Sequence, residues 1–239
     1  FSIFPSVARA DYILILDTFS SALPTVIASF FFTKKVVLRT GGDFLWEQYV
    51  ERTGDLVLLR DFYKTRMNRR TFKEKFIMSL IRFVLNNVDT VVWSTEWQKN
   101  IFWEPYKLSR QKHKIIENYY GPKEEDDLPD LSLKTFVASV RNLKWKNVEA
   151  LKNIFNKEDS KIPQNTKLVT IGYDINSFLS KIKGSYAFIL VSLGDISPNT
   201  ILDAIHYNKP FICTKEVGIY DRIKDAGIFV DPLNPNEIE

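Results

Sequence analysis

The sequence predicts an α/β protein with two doubly wound units, each built on a parallel sheet. Short runs rich in Val, Ile, Leu and Phe alternate along the chain with segments whose apolar residues recur every three or four positions. Continuous apolar runs are typical of strands buried on both faces of a parallel sheet, and the three-and-four spacing is typical of amphipathic helices. Their alternation indicates right-handed strand–helix–strand crossovers.

Seven apolar runs predict strands, and each ends at a polar residue or a glycine. In chain order they are ADYILILDTF, KKVVLRT, VDTVVWST, KTFVASV, TKLVTIG, YAFILVSL and KPFICT. Helices are predicted between them, several with Ser, Thr or Asn placed as caps. Their sequences are SSALPTVIASFFF, FLWEQYV, TFKEKFIMSLIRFVLNN, TEWQKNIFWEPY, WKNVEALKNIFN and PNTILDAIHYN.

A domain boundary is predicted where YYGPKEEDDLPDLSL combines a Gly-Pro step, four successive acids and a second proline. This composition is typical of a linker. We therefore predict an N-terminal domain over residues 1–122, a linker over 123–133 and a C-terminal domain over 134–239. We expect the first domain to be incomplete at its start and the second at its end. Two such units would face each other across a cleft at the carboxyl ends of their strands, where α/β sheets bind ligands.

Composition excludes several classes of protein. The single cysteine, Cys213, excludes an intramolecular disulfide and a zinc site of paired cysteines, and it favours a reducing, cytoplasmic location. No apolar run reaches the roughly 20 residues that cross a bilayer, so we expect no membrane span, and we expect no secretion signal. The two histidines, His113 and His206, do not form a metal-binding pair in the sequence.

The basic region over residues 60–82 has two interpretations. Seven cationic residues lie between Arg60 and Lys75 against two acids, and the apolar stretch FIMSLIRFVL follows. Such a region can contact an anionic membrane peripherally or a phosphorylated partner. Alternatively, it is a solvated helix face followed by its buried continuation. Nucleic-acid binding is not expected, because the basic region stands alone and the net charge is only +4.

Polar residues follow the predicted strands of the second half. Arg141 and Lys146 come after FVASV, and this combination of a planar guanidinium and a mobile ammonium suits a diphosphate. Two cations in a loop are also common as plain surface charges. Gly172 and Tyr173 come after TKLVTIG, where the glycine would let a ligand approach the backbone. A simple turn explains that glycine equally well.

The stretch VSLGDISPNTILDAIHYNKPFI predicts a strand, a turn and a helix with two acids. Ser197 suits the N-cap and Pro198 the first helical position, and the amides at the helix start suit phosphate oxygens. Asp195 precedes this helix start and Asp203 lies inside the helix, where burial without a partner is costly. The turn and helix residues predicted to bind a ligand are Gly194, Ser197, Pro198, Asn199 and Thr200.

Residues Lys134 to Pro235 resemble the donor-binding domain of GT-B glycosyltransferases, most nearly glycosyltransferase family 4. The residues that carry this resemblance are Asp195 and Asp203 with seven residues between them, Pro210 in the following turn, and Arg141 with Lys146 in VRNLKWKN. Asp stands where the family has Glu at both acidic positions, and Asn208 stands for its turn glycine. The resemblance implies two Rossmann-like domains.

The resemblance further implies transfer of a sugar from a nucleotide diphosphate sugar, with retention of configuration and without a bound metal or cofactor. Arg141 and Lys146 would hold the donor diphosphate, Asp203 the ribose and Asp195 the transferred sugar, and the acceptor would be a glycan, a lipid-linked molecule or another compound. Two alternatives stay open: a non-catalytic GT-B-like binding subunit, and a nucleotide-sugar epimerase of the same fold.

In the first half, Gly41, Gly42 and Asp43 occupy the position of a family loop that faces the sugar. The resemblance implies that the two glycines admit the sugar or acceptor and that Asp43 takes part in catalysis by binding a hydroxyl. A Gly-Gly turn capped by Asp43 before the helix FLWEQYV is the alternative interpretation.

Overall fold

The computed structural model describes residues 3–109, 112–119, 121–122, 131–139, 141–159, 161–171 and 184–239. Through these residues the chain divides into two compact units, Phe1–Tyr49 with Arg60–Asn118 and Val50–Leu59 with Tyr119–Glu239. Each unit contains one parallel sheet, which confirms the predicted α/β class. Most of the predicted linker lies outside the described residues. No helix in the described part is long and apolar enough to cross a membrane.

As far as the structure describes it, the first unit contains four parallel strands in the order β1-β2-β3-β4. Its elements in chain order are α1 (Phe4–Arg9), β1 (Tyr12–Ile15), α2 (Ala22–Phe32), β2 (Lys35–Thr40), α3 (Phe44–Thr53), α4 (Leu59–Thr65), a 3-10 turn (Met67–Arg69), α5 (Phe72–Asn87), β3 (Thr90–Trp93), α6 (Glu96–Trp103) and β4 (Lys112–Ile115). Every strand and helix predicted in this half is confirmed, and α1, α4 and β4 are additional.

Two helices of the first unit begin at side-chain caps that the sequence predicts. Thr71 accepts from the Glu74 amide while the Glu74 carboxylate accepts from the Thr71 amide, which forms a complete capping box at the start of α5. Thr95 caps α6 by accepting from the Gln98 amide. These caps fix where each helix starts and therefore which face of it is buried.

Within its described residues, the second unit contains five parallel strands in the order β6-β5-β7-β8-β9. Its elements in chain order are β5 (Lys134–Ser139), a 3-10 turn (Lys144–Lys146), α7 (Val148–Phe155), β6 (Thr166–Ile171), β7 (Ala187–Leu190), α8 (Asn199–His206), β8 (Phe211–Thr214), α9 (Tyr220–Ile223), β9 (Ile228–Val230) and α10 (Pro235–Ile238). The four predicted strands and two predicted helices are confirmed, and β9, α9 and α10 are additional.

Strand order in the second sheet reverses at β5, which is the mark of double winding. The chain runs from β5 to β6 in one direction and then returns to place β7 on the other side of β5. Side chains alternate between two cores, so that Val137 and Phe188 belong to one core while Ala138 and Ile189 belong to the other. The sheet is therefore covered on both faces, and β5 and β7 form its topological switch point.

The start of α8 differs in detail from the prediction. The helix begins at Asn199 with Pro198 as its N-cap, and no side-chain hydrogen bond caps it. The prediction that Ser197 is the cap and Pro198 the first helical residue is wrong by one position. The predicted left-handed terminus is confirmed, because Asn208 has a φ of 52°.

Candidate functional site

The candidate site lies at the carboxyl ends of β5 and β7, where two loops leave neighbouring strands. One loop covers residues 141–147, and the other covers residues 191–198. The Leu193 amide donates to the Trp145 carbonyl at 2.8 Å, which joins the two loops directly. Ligands of open α/β sheets bind at such switch points. The fold therefore brings together two segments that are about 50 residues apart in the chain.

An ion pair links the two loops. Nζ of Lys146 lies 2.5 Å from Oδ2 of Asp195, and the two side chains are only 13% and 14% exposed. The pair joins one residue predicted to hold a diphosphate to one predicted to hold the transferred sugar. Because it is largely shielded from water, its attraction is stronger than that of a surface pair.

A buried tryptophan lies beneath both predicted diphosphate-binding cations. Lys146 Nζ is 4.4 Å from the centroid of the Trp145 ring, and Arg141 Cζ is 5.9 Å from the same ring. Both distances are within the range of a cation–π interaction. Trp145 thus holds the two cations near each other. This arrangement is consistent with the prediction that Arg141 and Lys146 share a site, although the Arg141 side chain itself is exposed.

The backbone of Asp195 is held by the loop that follows β8. Its amide donates to the Glu216 carbonyl at 2.8 Å, and its carbonyl accepts from the Gly218 amide at 2.9 Å. Asp195 and Val217 form an isolated parallel bridge. These bonds hold the backbone of the residue whose side chain pairs with Lys146.

A segment from the end of α3 supports both loops of the site. The Lys144 amide donates to Oε1 of Glu51, and the Lys144 ammonium donates to the Glu51 carbonyl, each at 2.7 Å. The Leu59 amide donates to the Leu193 carbonyl at 3.1 Å. The segment Val50–Leu59, which includes the end of α3, groups with the second unit, although the next residue of that unit, Tyr119, lies 60 positions after Leu59. Sequence reasoning did not identify this support.

The start of α8 follows directly after Asp195. Gly194 and Pro198 are buried, Ser197 and Thr200 are partly buried, and Asn199 is exposed. The first turn of a helix carries a partial positive charge that favours anions. The contacts described for these residues do not test their predicted role in binding phosphate.

Asp203 lies in the second turn of α8 and is partly buried. Burial raises the pKa of its carboxyl group, and the nearby His206 opposes this effect. Within the described part of the chain, no hydrogen bond or ion pair joins Asp203 to the Lys146–Asp195 pair. The structure therefore brings together Arg141, Lys146 and Asp195, while the role of Asp203 stays a prediction. Gly172 and Tyr173 lie outside the described residues.

Asp43 is a buried helix cap in the first unit. Its Oδ1 accepts from the amides of Leu45 and Trp46 at 3.1 Å each, and its Oδ2 accepts from the Tyr63 hydroxyl at 2.7 Å. Tyr63 also shares a 2.7 Å hydrogen bond with Tyr106. Both carboxylate oxygens are thus engaged within the fold. These contacts favour the capping interpretation over the predicted catalytic role of Asp43.

Burial perturbs the pKa of the Asp43 carboxyl group. The carboxyl group is 2% exposed, and desolvation raises its pKa to about 6 although the bonds from Tyr63 and the Trp46 and Leu45 amides lower it. The Asp43 carboxyl group is therefore desolvated and hydrogen-bonded within the first unit, as expected for a structural role. In the sequence, the Gly-Gly-Asp turn before a helix indicates this cap.

The two glycines before Asp43 have different surroundings. A Cβ at Gly42 would lie 2.7 Å from Oε1 of Glu47, whereas a Cβ at Gly41 would have no atom within 4 Å. The Glu47 side chain therefore occupies the space above Gly42 that was predicted to admit a sugar. Only Gly41 retains open space of the predicted kind.

Two further residues at the site were not predicted. Trp145 carries a sequence signal, because it is an aromatic residue between Lys144 and Lys146. The buried Cys213 belongs to β8, and burial raises the pKa of its thiol, as does the charge of Asp195.

Among the residues that the structure describes, no group of three or more His, Cys, Asp or Glu side chains is placed to hold a metal ion.

Comparison with known proteins gives matches only at the level of structure. No protein-family model matches the sequence, and no curated protein matches it. The lipopolysaccharide outer core galactosyltransferase WaaB, in its apo form, matches with a TM-score of 0.60 at 14% identity, covering 99% of this chain and 66% of that one.

Two further solved structures give similar values. An α,α-trehalose-phosphate synthase (UDP-forming) from Burkholderia vietnamiensis matches with a TM-score of 0.62 at 8% identity, covering 99% of this chain and 67% of that one. A protein described as trehalose-6-phosphate from E. coli, bound with UDP-2-fluoro glucose, matches with a TM-score of 0.63 at 9% identity, covering 99% and 65%. The chain thus spans about two thirds of the length of these neighbours, and it has the fold of GT-B glycosyltransferases.

Proposed function

We propose that the protein transfers a sugar from a nucleotide diphosphate sugar to an acceptor. The observation that carries the proposal is the Lys146–Asp195 pair, in which a cation lies beside an acid at the switch point of a glycosyltransferase fold. Arg141 lies over the same tryptophan and adds a second cation to the site. A cation pair beside an acid suits a ligand that combines phosphate groups with sugar hydroxyls.

A uridine nucleotide is the first donor to test. One structural neighbour is a UDP-forming synthase, and another contains UDP-2-fluoro glucose. A third is a galactosyltransferase, so that glucose and galactose are the first sugars to test. The acceptor that we propose is a glycan or a lipid-linked molecule.

In the proposed reaction the protein stabilises the charge that develops on the leaving diphosphate. Arg141, Lys146 and the positive end of α8, from Ser197 to Thr200, would bind the phosphate oxygens and replace a metal ion in this role. Asp203 would accept hydrogen bonds from the ribose hydroxyls, and Asp195 would orient the transferred sugar. Family 4 membership and retention of anomeric configuration are part of this proposal.

Lys146 has a specific task within this scheme. Its ammonium can donate up to three hydrogen bonds, so that it can contact a phosphate oxygen while it keeps Asp195 as a neighbour. Trp145 limits the movement of Lys146 from the other side. The lysine therefore couples the position of the diphosphate to the position of the acid that binds the sugar.

Isothermal titration with UDP, GDP and ADP sugars tests the proposal. Arg141→Ala and Asp203→Ala are each expected to weaken binding by at least about tenfold, equivalent to roughly 1.4 kcal/mol. Lys152→Ala is the matched control, because Lys152 is a partly exposed cation that pairs with Glu149 on α7, apart from the proposed site. If wild-type protein binds none of these nucleotide sugars, the proposal is wrong.

Product analysis separates the proposed function from its alternatives. A labelled donor incubated with glycan and lipid-linked acceptors should give a labelled, larger product with retained configuration. Binding without turnover would instead indicate the non-catalytic GT-B-like subunit. Conversion of the nucleotide sugar into its epimer without any acceptor would indicate the epimerase.

A further inference from the structure

Six large apolar side chains are exposed on two helices of the first unit. They define a surface that we call the aromatic patch, and its members are Ile27, Phe30 and Phe31 of α2 and Phe72, Phe76 and Phe83 of α5. Phe72 is 87% exposed and Phe31 is 71% exposed. Single exposed apolar residues are ordinary, but several that adjoin each other mark an interaction surface.

The patch is continuous across the two helices. α2 packs against α5, and the rings of Phe30 and Phe83 meet edge to face with centroids 6.2 Å apart. Phe72, Phe76 and Phe83 are spaced by four and seven residues, so they lie along one face of α5 over about 16 Å. The opposite face of α5 is buried and includes Met78, Ile81 and Leu85.

On the two helices that form the patch, every exposed charged residue is a cation. α2 carries no charged residue, and the one acid of α5, Glu74, is buried in the capping box. Lys73 and Lys75 are exposed beside Phe72 and Phe76, and Lys34 follows the end of α2. Asp89, beyond the end of α5, accepts from the Val36 amide at 2.7 Å. The aromatic side chains are therefore accompanied by cations on α5 and just beyond the end of α2.

We propose that the aromatic patch docks the protein on an anionic lipid bilayer. Aromatic side chains insert at the boundary between headgroups and acyl chains, and lysines beside them attract anionic headgroups. The rim of cations favours this occupant over a second copy of the chain, because two such patches would bring like charges together. The proposal is independent of sugar transfer, since all of its residues belong to the first unit, whereas Lys146 and Asp195 belong to the second.

This proposal changes how the basic region at residues 60–82 is interpreted. The sequence allowed two interpretations: contact of the basic run and the apolar helix with an anionic membrane, or a solvated helix face followed by a buried continuation. In the structure, Phe76 and Phe83 belong to that continuation and are exposed, while α2, which lies outside the basic region, supplies the other half of the surface. In this proposal the exposed aromatic side chains and the nearby lysines therefore contact the membrane together.

Flotation with lipid vesicles tests the proposal. The protein should bind vesicles of phosphatidylcholine mixed with phosphatidylglycerol at least about tenfold more tightly than vesicles of phosphatidylcholine alone, and high salt should weaken this binding. The triple variant Phe30→Ser/Phe72→Ser/Phe76→Ser should reduce binding to the mixed vesicles by about tenfold or more, because it removes the inserted rings. Lys73→Glu/Lys75→Glu should reduce binding and make the remainder less sensitive to salt.

Tyr119→Ser is the matched control, because Tyr119 is also 87% exposed but lies outside the patch. This variant should bind vesicles like the wild type, and circular dichroism should show that every variant is folded. Equal binding by the triple variant and the wild type would overturn the proposal, as would equal binding to both kinds of vesicle. Self-association of the wild type that the triple variant abolishes, without any vesicle binding, would overturn it in favour of a second copy.

Discussion

Lys146 and Asp195 form a largely buried ion pair across two loops that leave neighbouring strands, and their Nζ and Oδ2 atoms are 2.5 Å apart. The two residues have different proposed partners, so that their variants should differ. Lys146→Ala should weaken UDP binding by about tenfold or more, because it removes a charge-assisted hydrogen bond to phosphate. Titration calorimetry measures this change.

Asp195→Asn should leave UDP binding unchanged or make it tighter. The amide keeps the shape of the side chain but removes the negative charge that opposes phosphate near Lys146. The rate of sugar transfer should nevertheless fall by at least about tenfold, since the contact with the transferred sugar is weakened. The assignment of roles fails if Asp195→Asn loses UDP binding as severely as Lys146→Ala does.

Asp43 should make the stability of the first unit depend on pH. Burial raises the pKa of its carboxyl group from 3.8 to about 6, so the folded state binds the proton more tightly than the unfolded state. The contribution of the protonated Asp43 carboxyl group to stability is therefore complete below pH 3.8 and is lost as the pH rises through about 6. The expected loss in the free energy of unfolding is about 3 kcal/mol.

Asp43→Asn isolates this contribution. The asparagine Oδ1 can still accept from the Leu45 and Trp46 amides, and its Nδ2 can donate to Tyr63. Urea unfolding followed by tryptophan fluorescence, below pH 4 and above pH 6, should show a smaller decrease for the variant than for the wild type. Parallel pH profiles would contradict the interpretation of Asp43 as a desolvated cap.

Removal of divalent metal ions should leave sugar transfer unchanged. If Arg141, Lys146 and the start of α8 supply the positive charge, then EDTA should change the transfer rate by less than about twofold. Added Mg²⁺ or Mn²⁺ should restore nothing, because nothing is lost. A fall of about tenfold in EDTA, reversed by one of these ions, would show that a metal takes part.

Gly227→Ala should destabilise the second unit. A Cβ at this position would lie 2.2 Å from Cε2 of Phe211, a buried residue at the start of β8. Overpacking of this kind costs about 1–3 kcal/mol in the free energy of unfolding. Gly41→Ala is the comparison, because its Cβ meets no atom within 4 Å and should change stability by less than about 0.5 kcal/mol. Equal denaturation midpoints for the two variants would contradict this account.

The fold was predictable where strands are buried on both faces. β7 is buried at all four positions, and its sequence AFIL is a continuous apolar run. β4, in contrast, has the sequence KHKI with three of four residues exposed, because it is an edge strand with one neighbour. Such a strand carries no apolar run, so its sequence resembles a loop. β9 has only three residues and was missed because of its length.

The site was only partly predictable, because its geometry depends on strand order. The sequence identifies Arg141, Lys146 and Asp195 as polar residues at strand ends, but it does not show that β7 lies beside β5 with β6 on the far side. Only that order brings Lys146 to Asp195. Asp43 illustrates the opposite limit, since the same Gly-Gly-Asp pattern fits a ligand loop and a helix cap, and only its burial and its bond to Tyr63 distinguish the two.

The reversal of strand order also affects how this region can vary in length. Lys146 follows β5 and Asp195 follows β7, and both strands are fixed side by side in the sheet. The chain between Asn147 and β7 leaves this pair, forms the outer strand β6 and returns. The two ends of this stretch of chain are therefore fixed in space. The entropic cost of lengthening the connections to β6 grows only slowly with their length. Evolution can lengthen or shorten these connections while the ion pair keeps its geometry.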